Sequence, residues 1–170
     1  MKVFAVFVIC SSLAFVSFTN KECACCTPEY RQFDFWLGDW NVYDAEGKKV
    51  GENHVLERES GCIIQENWTS ENMTGSSYNY FNTEDKTWNQ LWLDDHGSNL
   101  ILKGTLVDGN MVMKSTVSTD KEGNKVYNQI SWEPKPDGSV IQLWEVFLED
   151  GTLQQELFKG IYRKKSASGK

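Results

Sequence analysis

From residue 46 onward, turn-forming residues punctuate the chain at short intervals: Glu46-Gly47, Ser60-Gly61, Asp85-Lys86, His96-Gly97, Asp108-Gly109-Asn110, Glu122-Gly123-Asn124, Asp137-Gly138 and Asp150-Gly151. Most of these residues tolerate the positive φ of tight hairpins, so the runs between them should be antiparallel neighbours. The runs predict strands at about 39–44, 49–58, 62–69, 75–82, 88–94, 100–107, 111–117, 125–133, 139–148 and 153–164. Beyond Gly38 no segment keeps helical periodicity for more than about a turn or two. Ten short strands in a row leave edges that closure removes, and a ten-stranded tube is wider inside than an eight-stranded one. The expected fold is therefore all-β, an antiparallel up-and-down barrel of about ten strands with room for a cavity. A two-sheet sandwich filled by its own side chains is the competing arrangement.

The stretch ahead of the first strand, Phe33-Asp34-Phe35-Trp36-Leu37-Gly38-Asp39-Trp40, sets four aromatic rings around one glycine. Gly38 permits a sharp backbone turn and Trp40 supplies a large apolar body, so the stretch reads as a plug and first strand closing one barrel end. Thr27-Pro28-Glu29 reads as a helix start, with Thr27 as cap and Pro28 in the first position, leading to about Leu37. Residues 1–19 read as a secretory signal, with Lys2 before the apolar run Val3 to Val16, too short and small-residue-rich for a membrane span. The domain plan is a signal at 1–19, a Cys-containing segment at 20–32, the barrel at 33–165 and a frayed tail at 166–170. The formal charge is −7, which argues against nucleic acid or an anionic membrane as the partner.

With the signal and Cys10 removed, Cys23, Cys25, Cys26 and Cys62 remain, an even number that favours disulfides in an oxidising compartment. Cys62 alone lies within the barrel, so it should pair with Cys25 or Cys26. The rival reading, a Cys-x-Cys-Cys metal or redox site, needs a further soft ligand or an activating base, and no metal site is expected.

Period two sorts each strand into two faces, and one face repeatedly joins an aromatic to an amide or acid: Glu66 with Trp68, Asn79 with Phe81, Trp88-Gln90-Trp92, Asn128-Ile130-Trp132 and Gln142-Trp144. A core would use aliphatics, because a buried amide without partners costs about 1–3 kcal/mol. Amides among tryptophans suit a cavity in which a few fixed polar groups orient a guest. Asn53 joins this inward set, and Leu100, Leu102, Gly104, Leu106, Met111 and Met113 would line a more apolar side. The opposite faces carry Leu91, Leu93, Ile141, Leu143 and Phe147, so alternation leaves open which side is inward. Gln90, Asn128 and Gln142 could also bond one another and hold no ligand.

Glu66 is the one carboxylate expected deep inside, where desolvation should raise its pKa and make it the general acid or base if the protein is an enzyme. Asp94-Asp95-His96 precedes Gly97 and reads as a solvated turn. His54 has parity opposite to Asn53 and should be exposed. With His54 and His96 the only histidines, and neither in a nucleophile motif, no Ser-His-Asp arrangement is supported. Asn67-Trp68-Thr69 and Asn72-Met73-Thr74 match the N-glycosylation pattern, which bears on a eukaryotic source alone.

Through Gly38-Asp39-Trp40 the chain resembles the calycin superfamily of lipocalin-like barrels, where a short helix leads into a Gly-x-Trp strand and a late basic residue packs on that Trp. The resemblance gives that role to Arg163. More closely, Phe33 to Trp40, Ser60-Gly61-Cys62, Trp88-Asn89-Gln90-Leu91-Trp92 and Gln142-Leu143-Trp144-Glu145 resemble a family of secreted bacterial proteins sharing the Phe-Asp-Phe-Trp-Leu-Gly opening, over about residues 28–164. That family implies a fold and export but no activity. A more distant likeness is to haem-binding barrels of the nitrobindin type, which use a late histidine as iron ligand. No histidine follows His96, so haem is not expected, and Tyr162 is the late residue that could take that place.

These observations lead to an exported, secreted or periplasmic barrel holding a small hydrophobic or amphipathic molecule. Trp68, Trp92, Trp132 and Trp144 would be walls, Asn53, Glu66, Asn79, Gln90, Asn128, Gln142 and Tyr162 orienting groups, and Gly38, Trp40 and Arg163 structural. An enzyme using the same cavity and a non-catalytic interaction module are the alternatives.

Overall fold

The computed structural model describes residues 23–166; the expected signal at 1–19, residues 20–22 and all but the first residue of the expected tail at 166–170 lie outside the described residues. At Gly38 the chain leaves a short helical segment and enters the first strand with φ of +134°, a conformation open to glycine and strained for residues with a Cβ. The strands are β1 (Gly38–Tyr43), β2 (Lys49–Arg58), β3 (Ile63–Thr69), β4 (Thr74–Asn82), β5 (Thr87–Asp94), β6 (Asn99–Val107), β7 (Asn110–Lys114), β8 (Ser118–Thr119), β9 (Lys125–Pro134), β10 (Val140–Leu148) and β11 (Leu153–Lys164).

Each strand pairs antiparallel with the next, except that β7 passes directly to β9, and β11 returns to β1 with Val42 opposite Tyr162. Ten strands thereby close a barrel, and β8 is a two-residue addition on β9. The expected barrel forms and the sandwich does not, because β1 is hydrogen-bonded on both edges. The expected run 111–117 leaves the sheet earlier, after Lys114.

Parity settles which face is inward. Ser77, Asn79, Gln90, Leu102, Met111, Met113 and Trp132 are buried, while Tyr78, Leu91 and Ile101, paired side by side across β4, β5 and β6, face outward. His54 is exposed and Asn53 buried, as their parities require. Leu106 departs from expectation: it sits beside the β6–β7 hairpin at the end of the barrel and is exposed.

The segment ahead of β1 plugs one end. It consists of two 3₁₀ turns, Pro28–Arg31 and Asp34–Trp36, rather than one continuous helix from Thr27 to Leu37. Thr27 makes no backbone cap; its hydroxyl donates to the Glu29 carboxylate at 2.6 Å. The interruption at Gln32 and Phe33 lets Phe33 and Trp36 both enter the barrel, their rings stacked at 5.0 Å, with Phe33 edge-on to Trp88 and Trp132. Trp40 closes the cluster and donates from Nε1 to the Trp36 carbonyl at 2.8 Å.

Three groups tie the plug to the rim. Arg31 bridges to Glu57 at 2.7 Å and donates to the Gly61 carbonyl at 2.5 Å. Lys164 donates to the Leu37 carbonyl and lies 4.2 Å above the Trp40 ring. This corrects the assignment of Arg163 to Trp40: Trp40 pairs with Lys164, so residue 164 shares its face, while Arg163 points outward over Tyr43. The third tie is the Cys25–Cys62 disulfide, which takes the Cys25 branch of the expected pairing; Cys23 and Cys26 form a second bridge.

Cys25 and Cys62 are 37 residues apart and Cys23 and Cys26 only 3, so by loop entropy the first bridge should stabilise by about 4 kcal/mol and the second by less. Urea denaturation of Cys25→Ser/Cys62→Ser should therefore show a loss of about 2–4 kcal/mol. Cys23→Ser/Cys26→Ser should lose clearly less, and equal losses would contradict the plug-anchoring role.

Candidate functional site

Opposite the plug, the barrel retains a cavity of about 270 Å³. Trp68, Met73, Trp92, Leu100, Ile130, Trp144, Leu157 and Phe158 form its apolar walls, and Glu66, Gln90, Gln142 and Tyr162 its polar groups. The volume corresponds to about nine waters at liquid density (about 30 Å³ each), the scale of a small organic molecule.

The walls depend on glycines in the strands. A methyl group on Gly51 would stand 2.5 Å from Trp68 Cη2, and one on Gly160 would stand 2.6 Å from Phe158 Cε1. A methyl on Gly75 would overlap the six-membered ring of Trp92 and lie 3.0 Å from the Leu93 carbonyl. Trp68 on β3 thus occupies the space over Gly51 of β2, and Trp92 on β5 that over Gly75 of β4. Phe158 folds over Gly160 of its own strand. Each glycine is a recess that a Cβ would close, so the ring beside it could not keep its place. Trp144 is fixed differently, by donating from Nε1 to Asn128 Oδ1 at 2.8 Å.

A directed chain of hydrogen bonds converges on Glu66. Gln90 donates to Asn79 Oδ1 at 2.8 Å, Asn79 donates to Ser77 Oγ at 2.9 Å and Ser77 donates to Glu66 Oε2 at 2.7 Å. From the other side Asn53 Nδ2 donates to Glu66 Oε1 at 2.7 Å. Both carboxylate oxygens are acceptors, the arrangement an anion needs, yet every donor is neutral. Burial prevails over these bonds and raises the Glu66 pKa to about 7. Tyr162 donates to Gln142 Oε1, and its pKa is pushed well up, first by burial and then by the nearby Glu66 charge.

The structure brings Glu66, Trp68, Gln90, Trp92, Gln142, Trp144 and Tyr162 to one cavity. Asn53 and Asn79 stand behind it as partners in the Glu66 network, and Asn128 acts through Trp144. Trp132 belongs to the plug, 5.2 Å from Phe33 and 5.4 Å from Trp36. Gln90, Asn128 and Gln142 do not bond one another; each has a different partner.

Sequence reasoning overlooked Ser77, whose parity with Asn79 already places it inside. It also overlooked Leu157 and Phe158. Trp144 stands opposite Phe158 and Glu145 opposite Glu156, so Leu157 is the extra residue of a bulge and breaks the alternation that period two relies on. Met73 reaches the cavity from the β3–β4 connection, where periodicity says nothing. The Asp94 carboxylate accepts from the His96 and Ser98 backbone amides, so Asp94-Asp95-His96 is the expected turn.

Neither a protein-family model nor a curated protein matches the chain. No helix among the described residues is long and apolar enough to cross a membrane.

Two outcomes follow from this geometry. Gly75→Ala should displace Trp92, costing about 1–3 kcal/mol of stability and altering the near-ultraviolet circular dichroism, whereas an unchanged spectrum would mean that Gly75 does not seat the ring. The folded state holds the Glu66 proton up to about pH 7, while the unfolded chain releases it near 4.5. Stability should therefore fall as pH rises between these values, by roughly 3 kcal/mol in all at about 1.4 kcal/mol per unit. Denaturation of wild type and Glu66→Gln from pH 4 to 8 checks this: the variant should lack that decline, and parallel curves would contradict it.

Proposed function

We propose that the protein is an exported lipocalin-like carrier that holds one small, partly apolar molecule in its lumen. The carrying observation is the cavity of about 270 Å³, walled by Trp68, Trp92, Trp144 and Phe158 and given direction by Glu66, Gln90, Gln142 and Tyr162. Apolar walls with a few convergent polar groups are the usual composition of a small-molecule site. Export is supported by the residue 1–19 pattern and by two disulfides, which persist in oxidising compartments. The plugged ten-stranded antiparallel barrel is consistent with a lipocalin-like fold and supports the carrier reading.

The enzyme reading of the same cavity gives Glu66 the role of general acid or base, and its pKa of about 7 is the observation in its favour. Tyr162, with its proton held more tightly by burial, is not matched to proton transfer near neutrality, so the binding reading has the stronger support. An interaction module would need the tryptophan faces to be outward, and Trp68, Trp92, Trp132 and Trp144 all face inward.

Calorimetric titration with 2-phenylethanol tests the proposal. Saturable binding is expected for the wild type, weakened at least about tenfold by Ile130→Phe, which fills the lumen from a buried lining position. Absence of saturable binding, or equal binding by the variant, would overturn it.

A further inference from the structure

Building on the binding reading above, we infer that the guest is an organic cation: a small amine whose ammonium group meets Glu66 while its apolar body lies between Trp68, Trp92, Trp144 and Phe158. Four observations converge on this class. First, the hydrogen-bond chain is polarised toward the carboxylate. Gln90 donates to Asn79, Asn79 to Ser77 and Ser77 to Glu66, and Asn53 donates from the opposite side, so both oxygens are set up to be charged.

Second, the described residues supply no cation to balance that charge. Among the described residues no Lys, Arg or His lines the cavity, and no salt bridge involves Glu66. The groups facing Glu66 from neighbouring strands are Asn53 from β2, Ser77 from β4, Gln90 from β5, Gln142 from β10 and Tyr162 from β11. Tyr162 is the titratable one, and it remains neutral. A buried carboxylate with neutral donors alone is held at a disadvantage that an incoming cation removes.

Third, the walls are of the kind that favours a cation. Indole faces attract an ammonium group through the ring quadrupole, tryptophan best among the aromatic side chains, and more strongly when the pair is desolvated. Trp68 and Trp92, seated in the recesses at Gly51 and Gly75, line the cavity. Gln90 and Gln142 add polar atoms for the remaining ammonium hydrogens. Fourth, the body of the protein is acidic, with a formal charge of −7, which draws cations and repels anions.

Ammonium entry completes an ion pair in which Glu66 is ionised. At pH values where the empty site holds a proton on Glu66, each amine bound must displace one. An aliphatic amine stays protonated throughout this range, so its affinity should rise by about tenfold per pH unit below pH 7 and level off above. An uncharged guest of the same shape would show no such rise.

Calorimetric titration with 2-phenylethylamine and 2-phenylethanol, which differ in the terminal group alone, tests the assignment at pH 5, 6, 7 and 8. The wild type should bind the amine at least tenfold more tightly than the alcohol at pH 8, with the preference shrinking toward pH 5. Glu66→Gln should abolish the preference while still binding the alcohol, and circular dichroism should confirm that the variant remains folded. Ser77→Ala, which removes one neutral donor to the carboxylate, should weaken amine binding more than alcohol binding. Alcohol binding without an amine preference would overturn the cation assignment and leave the carrier reading standing. Failure of both compounds to bind would overturn both, and a preference retained in Glu66→Gln would show that Glu66 is not its source.

Discussion

Strand β1 is hydrogen-bonded along both edges, to β2 on one side and to β11 on the other, and that double pairing turns ten strands into a tube. The closure also controls the plug. Gly38, at the start of β1, admits a backbone direction that other residues resist, so the 3₁₀ segment folds back over the barrel end as the strand departs. The same pairing brings Lys164 beside Trp40, where its ammonium group lies over the indole and holds the Leu37 carbonyl. Burial lowers the Lys164 pKa, opposed by the Asp39 charge. With Phe33, Trp36, Trp88 and Trp132 packed against one another at this end, the apolar interior there is satisfied by the protein itself. The opposite end has no such plug, and there the wall aromatics surround space.

The two ends use aromatic residues in opposite ways. At the closed end the rings meet edge to face and fill volume, as in any protein core. At the open end Trp68, Trp92 and Phe158 occupy the recesses over Gly51, Gly75 and Gly160 and line the cavity. Glycine in a strand weakens it, through backbone entropy and a missing packing partner. Its recurrence beneath exactly placed rings gives that loss a purpose, namely the lumen. Glu66 carries a similar tension: a buried carboxylate whose donors are neutral destabilises the fold near neutral pH, a cost that the proposed cationic guest would relieve.

Much of this was readable from residue order. Turn-forming pairs such as Asp108-Gly109 and Asp137-Gly138 marked the hairpins because a positive φ is a local demand that few residues meet. Strand parity put residues such as Glu66, Gln90 and Gln142 on one face of their strands, since period two survives wherever a strand is regular, and burial in the closed barrel shows that face to be the inward one. What escaped depended on relations between distant segments. Lys164, rather than Arg163, meets Trp40 because register is set by pairing across the closure and one residue decides the face. Leu157 enters the cavity through a bulge, and Trp132 serves the plug rather than the site because of how far Phe33 and Trp36 reach inward. The in-strand glycines were visible as letters, but their role requires knowing which ring lies over each.

At the centre of the site is a carboxylate buried at the floor of an aromatic cavity that no Lys, Arg or His among the described residues lines. Its most direct test is a carbon-13 NMR titration of the Glu66 side-chain carboxyl in the empty protein, assigned with Glu66→Gln. The expected midpoint lies near pH 7, set by burial against the bonds from Ser77 and Asn53. A midpoint in the ordinary glutamate range, near 4.5, would mean that water or a protein cation reaches the group, and would contradict it.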